Sequence, residues 1–180
     1  MKALSSSDVC LFDFDFLPRA GRGPSASGPW PKAWRSSQVY CMMEDSQLLW
    51  FGTQGGGLEP LDGLRFRNFQ QRDGLVNDYI LSMAEGNGRL WFGTRDGISR
   101  FDGGGIQQHC ISFNGGVAVN GLHCDHCGRL WAATNQGLFR LLGDSAVQQP
   151  FKLQANLGRV FLDDDERLWL GTGDQGLFVS

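Results

Sequence analysis

Trp50, Trp91, Trp131 and Trp169 recur at intervals of 41, 40 and 38 residues, each inside nearly the same phrase. The phrases are Leu49-Trp50-Phe51-Gly52-Thr53, Leu90-Trp91-Phe92-Gly93-Thr94, Leu130-Trp131-Ala132-Ala133-Thr134 and Leu168-Trp169-Leu170-Gly171-Thr172. A Gly follows each at 57, 97, 137 and 176, and then Leu or Ile at 58, 98, 138 and 177. A chain with this fourfold self-similarity is built from like units stacked on one another, because one such unit cannot bury an apolar face alone.

Within each unit the pattern is of short strands and tight turns. A first apolar strand (Val39 to Met43, Ile80 to Ala84, Leu122 to Cys124, Val160 to Leu162) ends at an acidic residue, Glu44, Glu85, Asp125 or Asp163. A turn leads to the Leu-Trp strand, and a second turn has the polar-Gly ending that hairpins favour, as in Arg95-Asp96-Gly97 and Asn135-Gln136-Gly137. A third strand follows, and in the first three units a fourth, such as the alternating Leu64 to Phe69. Several strands per unit near a 40-residue period predict an all-β fold, a β-propeller of about four blades, as a closed four-bladed ring or a partial propeller. The 26 glycines among 180 residues suit its many turns.

The repeats occupy residues 38–180. Residues 17–37, rich in Pro, Gly, Ser and Arg, read as a loop, and residues 1–16 hold a spare alternating strand, Phe12 to Phe16. The fourth unit ends in its third strand, so the spare strand is expected to pair with Leu177 to Val179 and complete the last blade. A fragment of a larger sensor is the alternative.

A net charge of −3 with mixed signs offers no basic patch for nucleic acid or an anionic membrane surface. No run approaches the roughly 20 apolar residues that span a bilayer, and Met1 to Asp8 does not read as a signal peptide. Five cysteines cannot all pair within one chain, which points to a reducing compartment or to a piece of a longer secreted chain.

The acidic–turn–Leu-Trp-Phe-Gly-Thr–turn–Gly phrase, with Arg100-Phe101-Asp102 after the copy that begins at Glu85, resembles the two-component regulator propeller repeat. The resemblance covers about residues 38 to 180. It implies a sensor propeller of the periplasmic kind attached to histidine kinases or other output domains, binding a ligand that is often carbohydrate-derived. This chain has fewer repeats than that family's usual propellers and carries no kinase or output segment. A second resemblance, to propellers of the streptogramin lyase type, implies a catalytic His with metal-binding acids on one face, and His109, His123 and His126 give no residue-by-residue match.

Three local features bear on chemistry. His123-Cys124-Asp125-His126-Cys127 has zinc-ligand residue types. Counted back from the Trp, His123 and Cys124 fall where the sister units have apolar strand residues, which leaves His126 and Cys127 in the turn as the metal candidates. No second Cys-x-x-Cys or His pair closes a site, so no bound zinc is expected. Asp163 to Glu166 occupies the same turn in the fourth unit and reads as a solvated hairpin. The Trp ladder reads as packing between blades rather than as a sugar platform.

Function is expected on the rim formed by the turns after the Leu-Trp strands. The framework there is constant and the side chains vary. The candidate ligand-binding residues are Arg95, Asp96, Asn135, Gln136, Asp174 and Gln175, with Gln54, Arg72, Asp73, Asn77 and Asp78 beside them. The expected partner is a carbohydrate or other polar small ligand, or a partner protein, with association to further blades as another possibility. No cofactor, turnover or nucleic acid is expected, and no membrane insertion.

Overall fold

The computed structural model describes residues 38–62, 65–102, 105–111, 116–143, 145–150 and 155–180. The N-terminal strand, the loop to residue 37 and their pairing with Leu177 to Val179 lie outside the described residues.

Four antiparallel sheets follow one another along the chain. The first holds β1 (Val39–Glu44), β2 (Leu49–Thr53), β3 (Leu58–Asp62) and β4 (Arg65–Phe66). The second holds β5 (Ile80–Gly86), β6 (Arg89–Thr94), β7 (Ile98–Phe101) and β8 (Ile106–Ile111). In the third are β9 (Val119–Cys124), β10 (Leu130–Thr134), β11 (Gly137–Leu142) and β12 (Ser145–Gln148). The fourth has β13 (Leu157–Leu162), β14 (Leu168–Thr172) and β15 (Leu177–Val179). Helix among the described residues is one 3-10 turn, Gln71–Asp73. The first strands run up to three residues further than the sequence suggests, and the fourth strand of unit one is only two residues long, with an isolated bridge from Leu58 to Phe69.

Each sheet is an up-and-down meander, so the fold is that of propeller blades. The first strands stand innermost, β1 against β5, β5 against β9 and β9 against β13. The fourth sheet is not packed on the first in this way, and the described residues form an open arc of four blades. The core is divided among the three interfaces. Trp50 meets Ile80 and Phe92 of the next blade, Trp91 meets Val119 and Leu122, and Trp131 meets Leu157 and Val160. The Trp ladder is therefore inter-blade packing. Trp169, with no further described blade beyond it, is half-buried.

The Gly of the Trp phrase is set by this stacking. A Cβ on Gly52 would lie 2.7 Å from Ile80 Cγ2, and one on Gly93 would lie 2.3 Å from Ser82 Oγ and 2.7 Å from the Val119 carbonyl. Hydrogen there lets the next inner strand close up. In each blade the first pair of strands also slips register near its outer end, at Val39/Cys41, Ile80/Ser82, Ala133/Thr134 and Leu157/Arg159. A bulge of this kind adds local twist.

Candidate functional site

Alternating strand directions sort the turns onto two faces. The β2–β3, β6–β7, β10–β11 and β14–β15 turns share one rim with the connections between blades. The β1–β2, β5–β6, β9–β10 and β13–β14 hairpins lie on the opposite face.

Every rim turn is closed by the same bond. The Thr hydroxyls of Thr53, Thr94, Thr134 and Thr172 donate to the carbonyls of Gly57, Gly97, Gly137 and Gly176 at 2.7 to 2.9 Å. The same hydroxyl accepts from the backbone N–H of Asp96, Gln136 or Gln175 at 2.8 to 3.2 Å in the last three blades. The residue after each Thr is tied to the connection before its blade: Gln54, Arg95, Asn135 and Gly173 donate to the carbonyls of Gln38, Tyr79, Ala118 and Asn156. The rim is thus a rigid backbone frame. Sequence-predicted residues Arg95, Asp96, Asn135, Gln136, Asp174 and Gln175 all stand on it and all are exposed.

Their side chains differ in what they do. The Arg95 guanidinium lies 3.9 Å from the centre of the Tyr79 ring, a cation–π contact that holds it flat on the rim. Asp96 accepts from the Asn77 amide at 2.6 Å, so two candidate residues from neighbouring loops meet. Asn135 turns inward instead, its Oδ1 accepting from Ala118 N–H at 3.1 Å, which makes it part of the frame. Arg72 and Asp73 pair with each other at 3.6 Å, and Asp78 accepts from Gln71 N–H at 2.7 Å. Sequence reasoning missed Tyr79, because nothing in the repeat distinguishes it from an ordinary strand residue.

The opposite face carries its own structure. A cleft of about 500 Å³ opens between the first two blades, with Leu48, Pro60, Leu90 and Phe101 as apolar lining and Asp45, Glu85 and Asp102 as acidic lining. It lies away from the predicted rim and was not anticipated, since turns of two different blades make it.

Three of the four hairpins on this face are organised by a carboxylate. Asp125 accepts from the N–H groups of Cys127 and Arg129, from Arg129 Nε at 2.6 Å and from the Trp131 indole at 3.0 Å. Asp163 repeats the set with Asp165, Arg167 and Trp169. In the first blade the part is taken by Asp45, one residue beyond Glu44 at the end of the first strand. Asp45 accepts from Gln47 N–H, Leu48 N–H and the Trp50 indole. The first hairpin is one residue shorter, so the carboxylate that reaches the indole moves by one. Burial pushes the Asp45 and Asp125 carboxyls up, but the donors outweigh it and both sit below the ordinary value. The Trp169 indole leads the same effect on Asp163, which falls to about 2.

His123 is buried, its ring 5.0 Å from that of Phe161, and Cys124 is half-buried, as expected of strand positions. His126 and Cys127 are exposed in the β9–β10 hairpin. Sequence showed no further donors to accompany them; the structure brings Glu166 of the next hairpin alongside.

Fold and rim together define a stack of β-propeller blades with variable polar side chains on a fixed backbone frame. Residues 74–96 match the two component regulator propeller family. The chain carries that repeat, and the resemblance seen in the copy beginning at Glu85 is borne out. No curated protein matches it significantly. Among solved structures, the extracellular domains of two proteins assigned as hybrid two component systems of B. thetaiotaomicron, BT4673 and BT3049, are similar. The first is 22% identical with a TM-score of 0.66, covering 82% of this chain and 22% of that one. The second is 21% identical with a TM-score of 0.65, covering 81% and 22%. A virginiamycin B lyase from Staphylococcus aureus is 15% identical with a TM-score of 0.61, covering 78% and 54%. At these identities the likeness is one of fold. The chain spans about a fifth of the length of those extracellular domains. No helix among the described residues is long and apolar enough to cross a membrane.

Proposed function

We propose that this chain is the recognition part of a propeller sensor. It binds a polar, hydroxyl-rich ligand such as an oligosaccharide at the rim bearing Arg95, Asp96, Gln136, Asp174 and Gln175, and it turns nothing over. The observation that supports this reading is the Thr–Gly bond repeated in all four rim turns. It fixes the backbone of each turn while the side chains after the Thr or its following residue differ between blades, as Arg-Asp, Asn-Gln and Asp-Gln in the last three. Polar groups spread over a rigid rim, with an Arg stacked on Tyr79, suit a neutral ligand with many hydroxyls better than a polyanion. A periplasmic or extracellular place, as in the similar two-component domains, belongs to the same reading.

The test is a glycan binding screen on the full chain, with Arg95→Ala/Gln136→Ala as the control variant. Gln136 serves better than Asn135, whose side chain supports the frame. A glycan that binds the wild type and loses at least about tenfold in the variant supports the assignment. Equal binding by the variant places the site elsewhere, and consumption of the glycan makes the protein an enzyme.

A further inference from the structure

We propose that His126, Cys127 and Glu166 form a divalent transition-metal site, of zinc type, that bridges the third and fourth blades. The imidazole, thiol and carboxylate donor atoms all lie within 4.8 Å of one another, and all three residues are exposed. Donors around tetrahedral zinc stand roughly 3.5 Å apart. Rotation of three exposed side chains closes that difference without moving backbone. A thiolate with an imidazole and one carboxylate is a donor set for zinc or cobalt rather than for calcium or magnesium, which take oxygen ligands. Three protein ligands leave a fourth position for water.

Two further features show that the hairpins present these groups in fixed positions. Asp125 gathers four donors from its own hairpin, and Asp163 does the same in the next, so both turns that carry ligands are rigid. Glu166 also sits where glycine is the natural choice. Its φ is +61°, at the position where Gly128 has +74° and Gly88 has +69° in the sister hairpins. A side chain with this backbone costs energy that the sisters avoid. Here it puts a carboxylate oxygen 3.9 Å from His126 Nε2. Arg129 Nη2 is equally close to that oxygen, and its charge opposes a cation. The guanidinium is already bound to Asp125 at 2.6 Å, which offsets that repulsion.

The test uses the full chain, stripped with a chelator, under a non-thiol reductant. Cobalt(II) is titrated in and the thiolate-to-cobalt charge-transfer band is followed, then displaced with zinc. One cobalt per chain is expected, with the band lost in Cys127→Ser. Affinity should fall at least about tenfold in Glu166→Gln. Glu166→Gly should also bind weakly while melting no lower than the wild type, which separates loss of a ligand from loss of the fold. No band at all overturns the site. A band that survives Cys127→Ser, or wild-type affinity in both Glu166 variants, overturns it equally, since the metal would then sit on other thiols or on one hairpin alone. The rim variant Arg95→Ala/Gln136→Ala should leave the cobalt titration unchanged, so this site and the proposed glycan face fail or stand separately.

Discussion

Asp125 accepts four hydrogen bonds with its side chain wholly buried, tying together a turn, a guanidinium and an indole as the more exposed Asp163 does in the next hairpin. Asp125→Ala would strand Arg129 and the Trp131 indole, and we expect a loss of about 2 to 4 kcal/mol in chemical denaturation. The same residues set the acid limit. Asp45, Asp125 and Asp163 are held below the usual 3.8 in the folded chain, Asp163 at about 2. The unfolded chain therefore binds protons that the folded chain refuses, and the stability these groups supply is present above about pH 4 and disappears on descent towards about pH 2. A melting temperature level from neutrality to about pH 4 and falling steeply below it is the expected record. A level profile down to pH 2 would show that the three carboxylates contribute nothing. Residue by residue, Trp50, Trp91 and Trp131 were legible in the sequence because packing between blades admits few alternatives at their positions. The anchoring role of Asp45 was not legible, because a hairpin shortened by one residue moves its carboxylate out of register with Asp125 and Asp163.

At the level of the element, the rim turn is the working part, and its Thr is the residue that makes it uniform. Thr94→Val keeps the shape and removes the bonds to the Gly97 carbonyl and from Asp96 N–H. The expected cost is about 1 kcal/mol. Faster hydrogen exchange at Asp96 and Gly97 than at Ile98, in the adjoining strand, should accompany it. Uniform slowing or no change across the turn would deny the hydroxyl its role. The strands were readable from alternation and the turns from polar-Gly endings. What one turn does to another was not. Arg95 on Tyr79 and Asn77 on Asp96 join the two rim loops of one blade, Glu166 beside His126 joins two blades, and the repeat pattern holds no trace of these side-chain contacts. The one available hint was Glu166 standing where the second and third units have Gly88 and Gly128.

For the whole molecule, the fourth sheet gathers three of the six large apolar side chains exposed among the described residues. Phe161, Leu177 and Val179 are 41%, 63% and 48% exposed, and Phe161, Trp169 and Val179 face one another across its three strands. An apolar face of this size favours self-association. Light scattering should show association rising with concentration, and Phe161→Ser/Val179→Ser should reduce it with little change in melting temperature. Identical scattering from both proteins would mean the face is inert. The division of the core into three separate interfaces carries a further consequence. Among the described residues each buried cluster joins neighbouring blades, so energy is stored in successive joints rather than in a shared centre. Such a chain behaves as a linear stack in which a unit at the margin can be gained or lost at the cost of one joint, while the joints behind it keep their geometry. Blade number becomes a quantity that duplication and deletion can alter by whole steps, and a rim of side chains lengthens or shortens with it.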